Sequence, residues 1–306
     1  MNQSVGHYRR RPASAKPGKP VPVRRGAEIG DEASKGGSVE FGVTLRNMGP
    51  QSVPGILLPC ARAAESAGLE SLWITDHLAI PPDDAEGSGG RYTDPLTTLA
   101  YLAGCTGRIR LGTGVLVLPY RRPLPMAKAV ATVQELSGGR LLLGVGVGWM
   151  AAEFRAVGAD RARRGSDTDE ALDLLHRCFA ADEVEANGQP FLFKPRPERP
   201  PIYVGGAGEP ALRRAVRFGD GWLPMGADPD KLRPAAERLA ELAREAGRAT
   251  PAIVALGGLP LDDPPQAREQ LAALAALGVS RFVQAVRYDT LAEYMHTLER
   301  LALIRS

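Results

Sequence analysis

The chain has 306 residues, of which 44% are hydrophobic, 24% charged and 6% aromatic, the balance of a soluble globular protein with an aliphatic core. Three cysteines exclude a disulfide framework at this length and point to a reducing, cytoplasmic setting. Four histidines without a His-Cys cluster argue against zinc, no apolar run reaches the roughly 20 residues of a membrane span, and a net charge of +3 is too small to argue for nucleic acid.

The charge is uneven. Residues 1–37 carry eight Lys or Arg against three acids, a net of +5, so the remainder carries −2. This segment is rich in Pro, Gly, Ser and Ala and has no apolar period, so it is expected to be a disordered, solvated tail. It lacks the apolar stretch of a secretory signal. Contact with nucleic acid or an anionic surface is the rival reading, and a true start near Val39 is a third.

From residue 38 to 306 one pattern repeats: an apolar run, a turn, an amphipathic stretch. Strands are predicted over 39–45, 71–75, 109–118, 140–147, 201–205, 221–224, 252–256 and 280–285. Helices follow over 53–67, 95–105, 125–136, 151–157 with 168–180, 210–218, 228–246, 264–277 and 290–303. Asn187-Gly188 between 183–186 and 191–194 reads as a small hairpin. Eight β-α units in an α/β chain of this length predict a (β/α)8 TIM barrel, with an open doubly wound sheet as the alternative. Runs such as Leu141-Leu142-Leu143 imply strands buried on both faces.

Barrel active sites lie at the carboxyl ends of the strands. There the sequence places Arg46-Asn47-Met48-Gly49, Asp76-His77, Pro119-Tyr120-Arg121, Gly144 to Trp149, Gly205 to Gly208 and Trp222 to Gly226. This rim has no pair of carboxylates for glycoside hydrolysis and no strand-end lysine for a Schiff base. The run Gly205–Gly208 precedes a helix containing Pro210, so its amides and the helix dipole would favour an anion, unless the glycines only make a tight turn. Gly144-x-Gly146-x-Gly148 lacks the spacing of the dinucleotide fingerprint and follows the wrong strand for it. His77 stands where a catalytic imidazole would, beside Asp76, which would either orient the ring or accept a backbone N–H. His7, His176 and His296 are expected at the surface.

Six stretches in order resemble the luciferase-like flavin family, and within it the deazaflavin branch that uses coenzyme F420: Trp73-Ile-Thr-Asp-His-Leu78, Leu111 to Pro119, Leu136-Ser-Gly-Gly-Arg140, Leu143 to Trp149, Ile202-Tyr-Val-Gly-Gly206 and Gly219 to Pro224. The resemblance implies a luciferase-like TIM barrel. It implies Asp76 and His77 as the catalytic pair beside the ring, and a cis peptide at Gly114-Val115 behind it. Val147, Gly148 and Trp149 would line the cofactor pocket, with Gly206, Ala207 and Gly208 at the phosphate. Glu153-Phe154 matches a Glu-aromatic pair after the fourth strand. Departures are Ala151 and Ala152 in place of charged residues, Trp149 where sugar-phosphate dehydrogenases have an acid, and Asp167 where Arg is frequent.

The expected activity is hydride transfer between F420 and a small, apolar organic substrate. Met48, Tyr120, Trp149 and Trp222 suggest an apolar, partly aromatic pocket, with the core as the alternative place for any of them. The rival is an FMNH2-dependent monooxygenase served by a separate flavin reductase, and a third reading is a flavin-binding barrel without turnover. No metal, nucleic acid or membrane partner is expected, and the family tendency implies a homodimer.

Overall fold

The computed structural model describes residues 39–305, so the expected tail lies outside the described residues. In chain order the elements are β1 (Glu40–Thr44), α1 (Pro54–Ser66), β2 (Ser71–Ile74), α2 (Pro95–Ala103), β3 (Arg110–Thr113), β4 (Leu116–Val117), α3 (Pro123–Leu136) and β5 (Leu141–Gly146). Then come α4 (Ala151–Val157), α5 (Arg164–Ala180), β6 (Glu183–Ala186), β7 (Gln189–Leu192), β8 (Ile202–Gly205), α6 (Glu209–Phe218), β9 (Gly221–Leu223), α7 (Pro229–Glu245), β10 (Ala252–Gly257), α8 (Pro264–Ala276), β11 (Val279–Gln284) and α9 (Leu291–Arg305). Among the described residues no helix is long and apolar enough to cross a membrane.

The sheet runs β3-β2-β1-β11-β10-β9-β8-β5, every pair parallel, and the pairing of Leu111 with Leu141 and Gly112 with Leu142 joins its two ends. That closure decides for the barrel over the open sheet. The predicted hairpin is β6–β7, with both turn residues at positive φ, as a two-residue connection of this hand requires. Helix starts follow local chemistry: Asp94 caps α2 by accepting from the Thr97 N–H at 2.9 Å ahead of Pro95, and Asp228 and Asp263 cap α7 and α8 likewise.

The third predicted strand is not continuous, and the cis peptide implied by the resemblance lies at its break. The strand divides into β3 and β4 at this bond between Gly114 and Val115, and β4 continues the pairing on β5 at Leu116–Val145. The glycines nearby make room for this break. A Cβ at Gly146 would lie 2.5 Å from one Val115 methyl, and one at Gly205 would lie 2.7 Å from the other. Val115 therefore fills the space that side chains on β5 and β8 would take. Inside the barrel Trp73 is fully buried with Leu142, Tyr203, Leu223, Val254, Leu256 and Val283, and a Cβ at Gly112 would strike its ring at 2.4 Å. The larger core lies between the strands and the helical ring.

The amino-terminal end of the barrel is stoppered by Arg281. Its guanidinium pairs with both Glu70 oxygens at 2.8 and 2.9 Å, with Glu40, and with the Tyr203 hydroxyl at 2.9 Å. The opposite end is left for chemistry.

Candidate active site

The end of β2 is held by Asn47, which is fully buried. Its amide donates to the carbonyls of Thr75 (2.9 Å) and Thr93 (3.0 Å), and its oxygen accepts from the Thr75 N–H (3.0 Å). The next residue, Asp76, is buried, and its carboxylate is fully engaged. The Val117 N–H reaches Oδ2 at 2.8 Å, and Arg121 binds both oxygens at 2.5 and 2.9 Å. Arg121 also donates to Asp94 at 3.0 Å. Burial would drive the Arg121 guanidinium towards neutrality, but these two carboxylates outweigh it and hold its pKa above the ordinary value. Of the two roles expected for Asp76, the structure shows the backbone acceptor. The oxygens point to β4 and Arg121, and the group on the imidazole is a different acid.

That acid is Glu153, from the first turn of α4. His77 Nδ1 lies 2.8 Å from Glu153 Oε2, and the Tyr120 hydroxyl donates to the same oxygen at 3.1 Å. The other oxygen accepts from the N–H groups of Leu78 (2.6 Å) and Ala79 (3.0 Å). Burial alone would raise the Glu153 pKa, but the Ala79 and Leu78 amides and the imidazole overcome it, and the carboxyl lies below its usual value. Burial and the adjoining Glu153 charge push the Tyr120 hydroxyl the other way, well up.

A depressed carboxyl pKa stabilises the fold above the unfolded-state value and loses that contribution as pH falls through the folded one. Glu153→Gln has no such charge to lose. Thermal melts between about pH 6 and about pH 3, from above the ordinary carboxyl value to below it, should therefore show a smaller fall for the variant than for the wild type. Equal slopes would mean that the fold does not favour the Glu153 carboxylate.

The rest of the mouth is apolar and open. His77 packs beside Tyr92 at 4.9 Å and Trp149 at 6.3 Å between ring centres. Trp149 is 67% exposed, Met225 68% and Leu78 43%, all on loops at the carboxyl ends of strands. Large apolar side chains left open around an ionisable group mark a binding surface. Val147 is half-buried, and Gly148 adopts φ +74°, where a Cβ would meet Val117 at 2.7 Å and Phe154 at 3.1 Å. On the neighbouring β8 the turn Gly206, Ala207, Gly208 is exposed at the start of α6. No group among the described residues accepts from its three amides.

Other expected pocket residues are placed differently. Trp222 is fully buried and its indole donates to the Gly206 carbonyl at 2.6 Å, so it supports the turn from within. Tyr120 is buried against Val117 and Phe154. Met48 is half-buried and bridges to Tyr92. Asp167 pairs with Arg163. His176, expected at the surface, is instead half-buried, with Nε2 2.9 Å from the Phe218 carbonyl. Sequence reasoning assigned no role to Glu153 or Arg121. The available signal was an acid beside Phe154 in an otherwise apolar stretch, and an arginine closing the third β-α loop.

An exposed turn with glycine on either side of Ala207 and unengaged amides at a helix start fits a phosphate, and an apolar mouth fits a flat ring. The sequence model of luciferase-like monooxygenases matches residues 39–302. The chain belongs to this family. An uncharacterised protein of Mycobacterium tuberculosis is 33% identical over 226 residues, covering 67% of this chain and 78% of the relative. The F420-dependent glucose-6-phosphate dehydrogenase of Amycolatopsis mediterranei is 31% identical over 222 residues, 68% of this chain and 64% of that protein. The oxygenating constituent of 3,6-diketocamphane monooxygenase from Pseudomonas putida, in complex with FMN, has the same fold: TM-score 0.69 at 17% identity, over 87% of this chain and 97% of that one. Of the proteins to which this chain is similar, one thus depends on F420 and one of the same fold is in complex with FMN.

Proposed function

We propose that this protein transfers a hydride between coenzyme F420 and a small, apolar organic substrate. The observation that carries the reading is His77, an imidazole held at the barrel mouth with Nδ1 engaged, Nε2 free of partners among the described residues, and the exposed Trp149 indole beside it. The deazaflavin choice is supported by the motifs shared with that branch and by the F420-dependent relative. With Trp149 in place of an acid and Leu78 and Met225 exposed around it, the mouth suits an apolar substrate rather than a sugar phosphate.

When bound, the deazaflavin supplies hydride acceptance or donation at C5, without oxygen. Gly206, Ala207 and Gly208 would hold its phosphate through their amides, helped by the α6 dipole. The cis Gly114-Val115 segment, with Val147 and Gly148, would back the ring. His77 Nε2 would give or take the proton that accompanies the hydride. Asp76 would keep the end of β2 in register with β4 and has no free oxygen for proton transfer.

Titrating the cofactor-free protein with F420 and with FMN tests the reading. F420 should bind at least about tenfold more tightly, a difference of about 1.4 kcal/mol. A preference for FMN would replace this reading with the monooxygenase one. Gly208→Val tests the phosphate turn. Its φ is ordinary and its Cβ would meet only Pro210 at 3.6 Å, so the variant should fold. A β-branched side chain beside the amides should weaken F420 binding by about tenfold or more, and unchanged affinity would remove the turn from the site.

A further inference from the structure

We propose that Glu153 is the positioning residue of this site: it keeps the proton of His77 on Nδ1 and leaves Nε2 as the ring nitrogen that exchanges a proton with substrate. The inference rests on the proposed role of His77 in proton transfer, but its physical basis does not depend on which coenzyme binds.

Donor counting fixes where the hydrogens lie. An ionised carboxylate only accepts. Glu153 is fully buried and receives four contacts: two peptide N–H groups on Oε1, and a phenol and an imidazole on Oε2. Peptide N–H groups cannot reverse their role. Two of them on one oxygen favour the charged form, and a charged Glu153 requires Tyr120 and His77 Nδ1 both to donate. A neutral imidazole with hydrogen on Nδ1 has its lone pair on Nε2. A protonated Glu153 would carry its hydrogen on Oε2, since Oε1 is taken, and would turn the imidazole into the opposite tautomer.

The same carboxylate fixes the ring in space. The two amides that it binds belong to Leu78 and Ala79, the residues directly after His77, so backbone and imidazole of one segment hang from one anchor. The anchor comes from α4, whose next residue, Phe154, packs edge-on against Tyr120 at 5.1 Å and holds the phenol in place. The ring cannot turn about its χ angles without breaking the bond to Oε2. The carboxylate thus ties the end of β2 to the loop after β5 that carries Trp149, the two sides of the mouth between which the substrate is proposed to sit.

The test is the 15N spectrum of the His77 ring in cofactor-free protein, at a pH where the ring is neutral, for the wild type, Glu153→Gln and Tyr120→Phe. The wild type should show a pyrrole-type Nδ1 and a pyridine-type Nε2. In Glu153→Gln the side-chain oxygen still takes the two amides, but the NH2 group now faces Nδ1, so the two signals should exchange types. Tyr120→Phe should keep the wild-type pattern. An Nε2–H tautomer in the wild type overturns the inference, and that measurement needs no variant to fold. An unchanged pattern in a folded Glu153→Gln protein overturns it too. In the loaded enzyme Glu153→Gln should lose kcat while F420 affinity stays, whereas equal loss of both would mark Glu153 as merely structural. Failure of the wild type to bind F420 refutes the proposed function and leaves the tautomer result standing.

Discussion

His77→Ala should lower kcat by about 10²–10⁴, the scale of a lost general acid or base, while leaving F420 affinity nearly unchanged. The separation of the two effects follows from where the groups sit. Phosphate binding is assigned to main-chain amides of the β8–α6 turn, which the substitution does not touch. Proton transfer is assigned to an imidazole on the far side of β5, after β2. Truncation also leaves Glu153 with one donor fewer, but its two amide contacts and Tyr120 remain, so the variant should still fold. Coenzyme oxidation or reduction against the working substrate gives kcat, and a fluorescence titration gives affinity. Full activity in His77→Ala would assign the proton to water or substrate. Weak binding with normal turnover would make His77 a group that only places the ring.

The barrel itself was legible from periodicity because its strands are short apolar runs between turn residues and several of its helices open on Asp or Pro. The limits of β2, β8 and β9 fall within one residue of the expected ones, as each run ends at Gly, Pro or a charged residue. The third strand was not legible as two pieces. Residues 109–118 read as one strand, and Gly112-Thr113-Gly114 inside it does not by itself show that the strand divides. The cis peptide came from resemblance alone, and the structure bears it out. Two strand-end glycines have a packing role that the sequence did not reveal: Gly146 and Gly205 make space for Val115. The partners of the Asp-His pair were beyond a local reading. Arg121 lies 45 positions after Asp76, and Glu153 lies 76 after His77. Adjacency in sequence left two roles open for Asp76, but both residues lie past the end of β2 at Ile74, where Asp76 reaches Val117 and Arg121 and His77 reaches Glu153. Each therefore met a different wall of the rim.

Arg121→Met should destabilise the fold by about 3–5 kcal/mol, the cost of leaving a buried charge without its partner. The Asp76 side chain has no exposed surface and Arg121 only 13%, so water replaces little of what is lost. What remains on the carboxylate is the Val117 N–H. For a chain of this size the melting temperature should fall by on the order of 10 °C. The pH dependence separates this cause from lost packing. Burial already lifts the Asp76 carboxyl above its ordinary value, with Arg121 as the main opposing influence. Without the guanidinium the folded-state pKa rises further. A carboxyl with a raised folded pKa gains stability as it is protonated, so Arg121→Met should recover part of its loss as pH falls through that value. The recovery runs opposite to the acid-induced loss expected from Glu153. A second substitution, Asp76→Asn, removes the charge and keeps an acceptor for Val117, so the double variant should be more stable than Arg121→Met alone. If Arg121→Met melted like the wild type at neutral pH, the pair would not be what holds the end of β2 against β4. His77, which follows Asp76 directly, would then owe its position to Glu153 and Asn47 alone.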